Sequence, residues 1–199
     1  MMRAIILTSM FLAAGRAQSG ETLRDGDIIF HASRSAQSIA IQRATHSRYS
    51  HVGIVFLRGG KPFVFEAIAS VRYTPLKTWR ARGAGETYVV KRVKRGLSSG
   101  EVGKLRAAAK KFDGRPYDLY FEWSDERIYC SELVWKMYSR ALGMEIGKRQ
   151  HLREFDLKDP VVNAKLRERY GARIPLDEPV ISPAALYDSP LLTTINVSP

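Results

Sequence analysis

The sequence predicts an α+β fold, an antiparallel β-sheet packed against helices. Three observations lead there. Short apolar, strand-like runs joined by turn residues fill the first half of the chain. Segments with recognisable helix starts and stops fill the second half. One connection, Arg58-Gly59-Gly60-Lys61, is short and glycine-rich enough to reverse the chain between two strands as a hairpin.

Taken in order, Asp25-Gly26-Asp27 turns the chain into a short strand over residues 28–30. Residues 35–44 read as a helix with Ile39 and Ala40 on one side and Ala44 a turn later. Residues 52–57 carry apolar side chains at successive positions, the mark of a strand buried on both faces. Residues 63–68 are its returning partner, residues 75–80 make one helical turn, and residues 87–93 a further strand. Ser98 and Glu101 then have capping-box spacing, so a helix opens there, runs to Phe112 and stops at Asp113-Gly114. Residues 129–142 form the next helix, closed by Gly143, and residues 160–170 another, closed by Gly171. Ser182-Pro183 starts a short last helix.

With 199 residues, 45% of them hydrophobic, the chain can bury the core of one domain. It has no heptad run, no fixed repeat and no long polar tract, which argues against coiled coils, solenoids and disorder. Residues 1–17 have the features of a signal peptide: Arg3, an apolar run over residues 4–14, then small residues at Gly15 and Ala17. Cleavage after Ala17 leaves a single domain of residues 18–199 in the periplasm or outside the cell. The apolar run is too short to span a bilayer, no other segment is long enough, and no cysteine follows the run to carry a lipid anchor. The formal charge of +12 falls to +10 once Arg3 and Arg16 are removed. Such a charge attracts polyanions. The basic residues are scattered and no nucleic-acid motif is present, so the expected partner is an anionic cell-wall polymer or lipid rather than nucleic acid.

The single cysteine, Cys130, lies at the start of the helix over residues 129–142. Exported proteins normally pair their structural cysteines, so a lone thiol is either an inert core residue or a reactive one. Cys130, Val134, Met137 and Ala141 share the core-facing side of the helix. From the first turn, the free backbone N–H groups and helix dipole favour a thiolate and could hold an oxyanion.

Of the four histidines, the hairpin singles out one. If Gly59-Gly60 is a two-residue loop, Arg58 faces Lys61 and His51 lies diagonal to Glu66 on the same face of the sheet, with Cβ atoms roughly 7–8 Å apart or less. Glu66 can then fix the His51 tautomer and stabilise its imidazolium. A loop of odd length would destroy this parity. Glu66 sits in the otherwise apolar run Phe63-Val64-Phe65-Glu66-Ala67-Ile68, where an unpaired charge is costly, and its alternative partner is one of the many arginines. His46 belongs to a loop; His31 and His151 have no acidic partner at a telling spacing. No His, Cys and Asp cluster has ligand spacing, so neither a metal nor a cofactor is expected.

Three stretches together, His46-Ser47-Arg48-Tyr49-Ser50-His51-Val52-Gly53-Ile54, Phe65-Glu66-Ala67 and Tyr129-Cys130-Ser131-Glu132-Leu133-Val134-Trp135, resemble the YiiX/YebB-like family. These are circularly permuted relatives of the NlpC-type cell-wall cysteine peptidases, with a papain-like core. The similarity runs from about Asp25 to Ala185. It implies a cysteine hydrolase with Cys130 as nucleophile, His51 as base and Glu66 as orienting acid. Gly114-Arg115-Pro116-Tyr117 is similar to a stretch whose tyrosine serves the oxyanion or substrate in unpermuted enzymes, which points to Tyr117. Those enzymes carry Asp-Cys-Ser-Gly where this chain has Tyr129-Cys130-Ser131-Glu132, and their aspartate helps hold the amino end of wall peptides. The lipid-acting lecithin:retinol acyltransferase relatives carry Asn-Cys-Glu-His, also absent here. The expected function is therefore an amidase or peptidase acting on cell-wall peptides through an acyl-enzyme. The alternatives are a lipid or thioester acyl hydrolase or acyltransferase using the same residues, and a non-catalytic binding module.

Overall fold

In the computed structural model, which describes residues 21–196, six strands form one antiparallel sheet against which the longer helices pack. In chain order these are β1 (Ile28–His31), β2 (His51–Arg58), β3 (Lys61–Ala67), β4 (Val71–Pro75), β5 (Val89–Val93) and β8 (Leu192–Ile195), arranged 4-3-2-1-5-8 across the sheet. Two short strands, β6 (Gln150–His151) and β7 (Pro179–Val180), pair separately. The helices are α1 (Ala36–Thr45), α2 (Leu76–Ala81), α3 (Ser99–Phe112), α4 (Cys130–Leu142), α5 (Pro160–Tyr170) and α6 (Pro183–Tyr187). None is long and apolar enough to cross a membrane. The leader expected over residues 1–17 lies outside the described residues.

The helix boundaries follow their caps. Ser35 accepts from the Ser38 N–H to start α1, and Ser98 and Glu101 close a reciprocal capping box on α3. Gly143 ends α4 in the left-handed conformation. The fifth strand begins at Val89 rather than Thr87, because a 3₁₀ turn over Ala84–Glu86 uses the preceding residues.

Strands β4 and β8 were not expected. In β4 the signal is brief: Val71 and Tyr73 alternate with Arg72 and Thr74 before Pro75 ends the run. In β8 the partner, β5, lies some hundred positions earlier, and Leu192 and Ile195 alone hold it inward.

The sheet separates two interiors. One face packs Ile28, Phe30, Ile54 and Phe65 against Leu105, Ala109, Leu133, Val134 and Met137 of α3 and α4. The other packs Ile29, Val55, Val64 and Val90 under Trp79 of α2. Because β2 is covered on both sides, residues 51–56 are all buried.

The hairpin has the expected even loop: Arg58 faces Lys61, and the register continues through Leu57–Pro62 to Ile54–Phe65. Gly59 and Gly60 both have positive φ, the two-residue turn that matches strand twist. Further along β2, Gly53 has no space for a side chain. A Cβ there would lie 2.4 Å from Val64 Cγ1 and 2.9 Å from the Phe65 carbonyl oxygen. Gly53→Ala should therefore push β2 off β3 and cost about 1–3 kcal/mol in urea-denaturation stability, the usual range for overpacking. An unchanged midpoint would mean that the strands separate freely here.

Candidate active site

Glu66 is fully buried, yet its carboxylate is completely partnered. The Nε2–H of His51 donates to Oε2 at 2.6 Å, and the Thr74 hydroxyl donates to Oε1 at 2.6 Å. The Arg82 guanidinium also donates to Oε1. The two partners considered for Glu66 are thus not exclusive, since it holds a histidine and an arginine together. Burial alone would raise the Glu66 carboxyl, but these hydrogen bonds and the charges of His51 and Arg82 hold it down at about 2.

His51 is the first residue of β2 and Cys130 the first of α4, so a strand start and a helix start meet. Nε2 is committed to Glu66, which leaves Nδ1 for the thiol. Burial pulls the imidazole down, but the hydrogen bond to Cys130, that to Glu66 and the negative charge of both lift it to about 9. Its neighbour on β1, His31, behaves in the opposite way. Burial and the nearby His51 and Arg82 charges push His31 down to about 3, while Glu66 opposes them only in part. His31 is therefore a neutral ring, stacked on Trp79 at 3.9 Å between centroids, and adds no second cation beside His51.

Tyr117 reaches the same place through backbone pairing. Its N–H donates to the Ala69 carbonyl, and the Ile128 N–H donates to the Pro116 carbonyl just ahead of α4. Burial and the charge at Cys130 raise its phenol well above the ordinary value. His51, His31, Tyr117, Gln37, Arg34 and Arg82 line an open cleft of about 600 Å³. Cys130 itself lines a smaller cavity of about 90 Å³ whose walls include Ile41, Phe121, Leu152, Phe155 and Ile181.

The other histidines stand apart. His46 is an exposed helix cap 3.4 Å from Asp156, and the exposed His151 donates to the Asp177 carbonyl. Among the described residues, no three His, Cys, Asp or Glu side chains form a group able to hold a metal. Sequence reasoning did not find Thr74, Arg82 or the His31–Trp79 stack. Thr74 lies on the unexpected strand β4, diagonal to Glu66, and Arg82 follows α2; only the folded sheet brings them to the carboxylate.

The context of Cys130 is explained locally. Glu132 is fully buried, accepts from the Tyr129 N–H and pairs with Lys136 at 2.6 Å. The Tyr129 hydroxyl accepts from the Ile181 N–H. Both side chains hold the helix start in place and neither faces the cleft.

The chain matches, over residues 22–196, a family described as the permuted papain-like amidase enzymes, YaeF/YiiX, C92 family. The Escherichia coli K12 protein YiiX, itself uncharacterised, is 53% identical over 193 residues, covering 97% of this chain and 94% of that one. A crystal structure described as metalloprotein yiiX from Escherichia coli O157:H7 is 56% identical and superposes with a TM-score of 0.86, over 88% of this chain and 97% of that one.

The Glu66–His51 pair carries a pH signature. The folded value of Glu66 lies below its ordinary 4.5, so its contribution to stability is complete above pH 4.5 and is lost as pH falls towards about 2. The folded value of His51 lies above 6.5, so its contribution is complete below pH 6.5 and is lost as pH rises through about 9. Glu66→Gln should cost most, about 3 kcal/mol, between those two ordinary values, with the difference shrinking on either side. Urea midpoints of both proteins across the titration check this; a pH-independent difference would contradict the pairing.

Proposed function

This chain belongs to the permuted papain-like amidase family, and from that premise we propose that it is a cysteine hydrolase that cleaves amide bonds in cell-wall peptides. The observation that carries the reading is an imidazole held at Nε2 by a buried carboxylate 2.6 Å away, with the lone thiol of Cys130 among the groups that raise its pKa. Cys130 is the nucleophile, attacking the substrate carbonyl as its thiolate. His51 takes the thiol proton through Nδ1 and returns it to the leaving amine, while Glu66 keeps the ring oriented and stabilises the imidazolium. Negative charge develops on the carbonyl oxygen in that step. The first-turn N–H groups of α4, which have no intrahelical acceptor, and the Tyr117 hydroxyl are the donors for it. Collapse of the tetrahedral species leaves an acyl group on Cys130. Water, deprotonated by His51, then releases it.

The leader over residues 1–17 and the +10 charge of residues 18–199 support work outside the cytoplasm on an anionic polymer. Among the described residues, no ligand set fits the metal named for the Escherichia coli structure. Glu66 is shared among His51, Thr74 and Arg82, and His51 between Glu66 and Cys130, so no step is routed through a metal.

A second reading has its own support. The apolar cavity against Cys130 would receive a few carbons of an acyl chain, which favours a lipid or thioester acyl hydrolase using the same residues. Incubation with wall peptides and with acyl lipids, followed by mass analysis of the intact protein, separates the two by the acyl group that accumulates. In either case Cys130→Ala should abolish the adduct and turnover while changing stability by no more than about 1 kcal/mol, because the thiol is a small group at a helix end. Turnover that survives Cys130→Ala would overturn both readings.

A further inference from the structure

The Tyr117 hydroxyl is both donor and acceptor, so its use at the cleft depends on which way its proton points. One neighbour settles this. Gln37, on α1, places its Nε2 3.0 Å from the Tyr117 oxygen, and its Oε1 receives Arg169 Nη2 of α5 at 2.7 Å. A guanidinium can only donate, so the amide atom facing Arg169 must be oxygen and the atom facing Tyr117 must be the NH₂ group. The tyrosine oxygen is thereby made an acceptor towards Gln37. Its own proton has no acceptor among the described residues, and the side chain lines the cleft beside His51. Arg169 is itself held, with its guanidinium 4.9 Å from the centre of the Phe121 ring.

We propose that Arg169 and Gln37 are positioning residues that fix the Tyr117 hydroxyl as a hydrogen-bond donor to the substrate oxyanion. The inference rests on the hydrolase reading. It also gives α5, which packs on α1 and contributes nothing else to the site, a part in the reaction. Gln37 and Arg169 are 132 positions apart, and their contact is made only when α1 and α5 dock.

The test compares two reactions of the same thiol. Acylation of Cys130 by p-nitrophenyl acetate passes through an oxyanion, whereas alkylation by iodoacetamide does not. Tyr117→Phe should slow acylation about 100-fold, the low end for loss of an oxyanion donor, and leave alkylation at its high-pH plateau within about twofold. Gln37→Glu keeps the side-chain shape but offers only acceptors, so it takes the Tyr117 proton. It should match Tyr117→Phe within about threefold, and the double variant should be no slower than either single one. Gln37→Leu frees the hydroxyl to rotate and should lose less than Gln37→Glu. If Gln37 only supported packing, leucine would be at least as harmful as glutamate; that order, or full acylation in Gln37→Glu, overturns the proposal. A wild-type thiol that is alkylated but never acylated would instead overturn the hydrolase reading beneath it.

Discussion

One buried negative charge organises this molecule. The Glu66 carboxylate lies in the middle of an apolar strand with none of its surface exposed, where an uncompensated charge could not persist. Its compensation comes from three directions: the imidazole of His51 on β2, the hydroxyl of Thr74 on β4 and the guanidinium of Arg82 after α2. Each of these must be in register for the carboxylate to be tolerated. In turn the carboxylate fixes the plane of His51 through Nε2 and leaves Nδ1 uncommitted. The same interaction is therefore a condition on folding and the basis of the proposed chemistry.

The sheet makes this arrangement possible by having two buried faces with different contents. The face towards α3 and α4 is apolar and supplies the main core. The face beneath Trp79 is apolar in its middle but carries the polar cluster at its end, with neutral His31 stacked on Trp79 and both rings beside His51. Keeping His31 uncharged matters, because a second imidazolium 5.2 Å from the first, centre to centre, would oppose the one that Glu66 stabilises. Gly53 contributes by absence: without a side chain, β2 can lie close against Val64 and the backbone of Phe65, next to Glu66.

Much of this was legible in the sequence, and the parts that were share one property: they are local. The Gly59-Gly60 turn sets an even loop, and an even loop puts His51 and Glu66 on one face. Ser98 with Glu101, and Gly143, mark helix ends within a few residues of themselves. The unexpected features are the ones assembled over distance. Thr74 belongs to a strand too short to announce itself, Arg82 is one of many arginines until α2 aims it, and Gln37 meets Tyr117 and Arg169 across separations of 80 and 132 positions. The departure at Tyr129 and Glu132 from the pattern of unpermuted relatives was visible in the sequence. Its reason, a buried Glu132–Lys136 pair and a tyrosine bonded to Ile181, required the fold.

The central claim is that His51 is held as an imidazolium between Glu66 and Cys130. Nitrogen-resolved NMR titration of ¹⁵N-histidine-labelled protein measures it directly. The account predicts that His51 keeps both ring protons until about pH 9, with Nε2–H in a strong hydrogen bond, while His31 stays neutral down to about pH 3. A His51 that titrates near the ordinary 6.5 would contradict it.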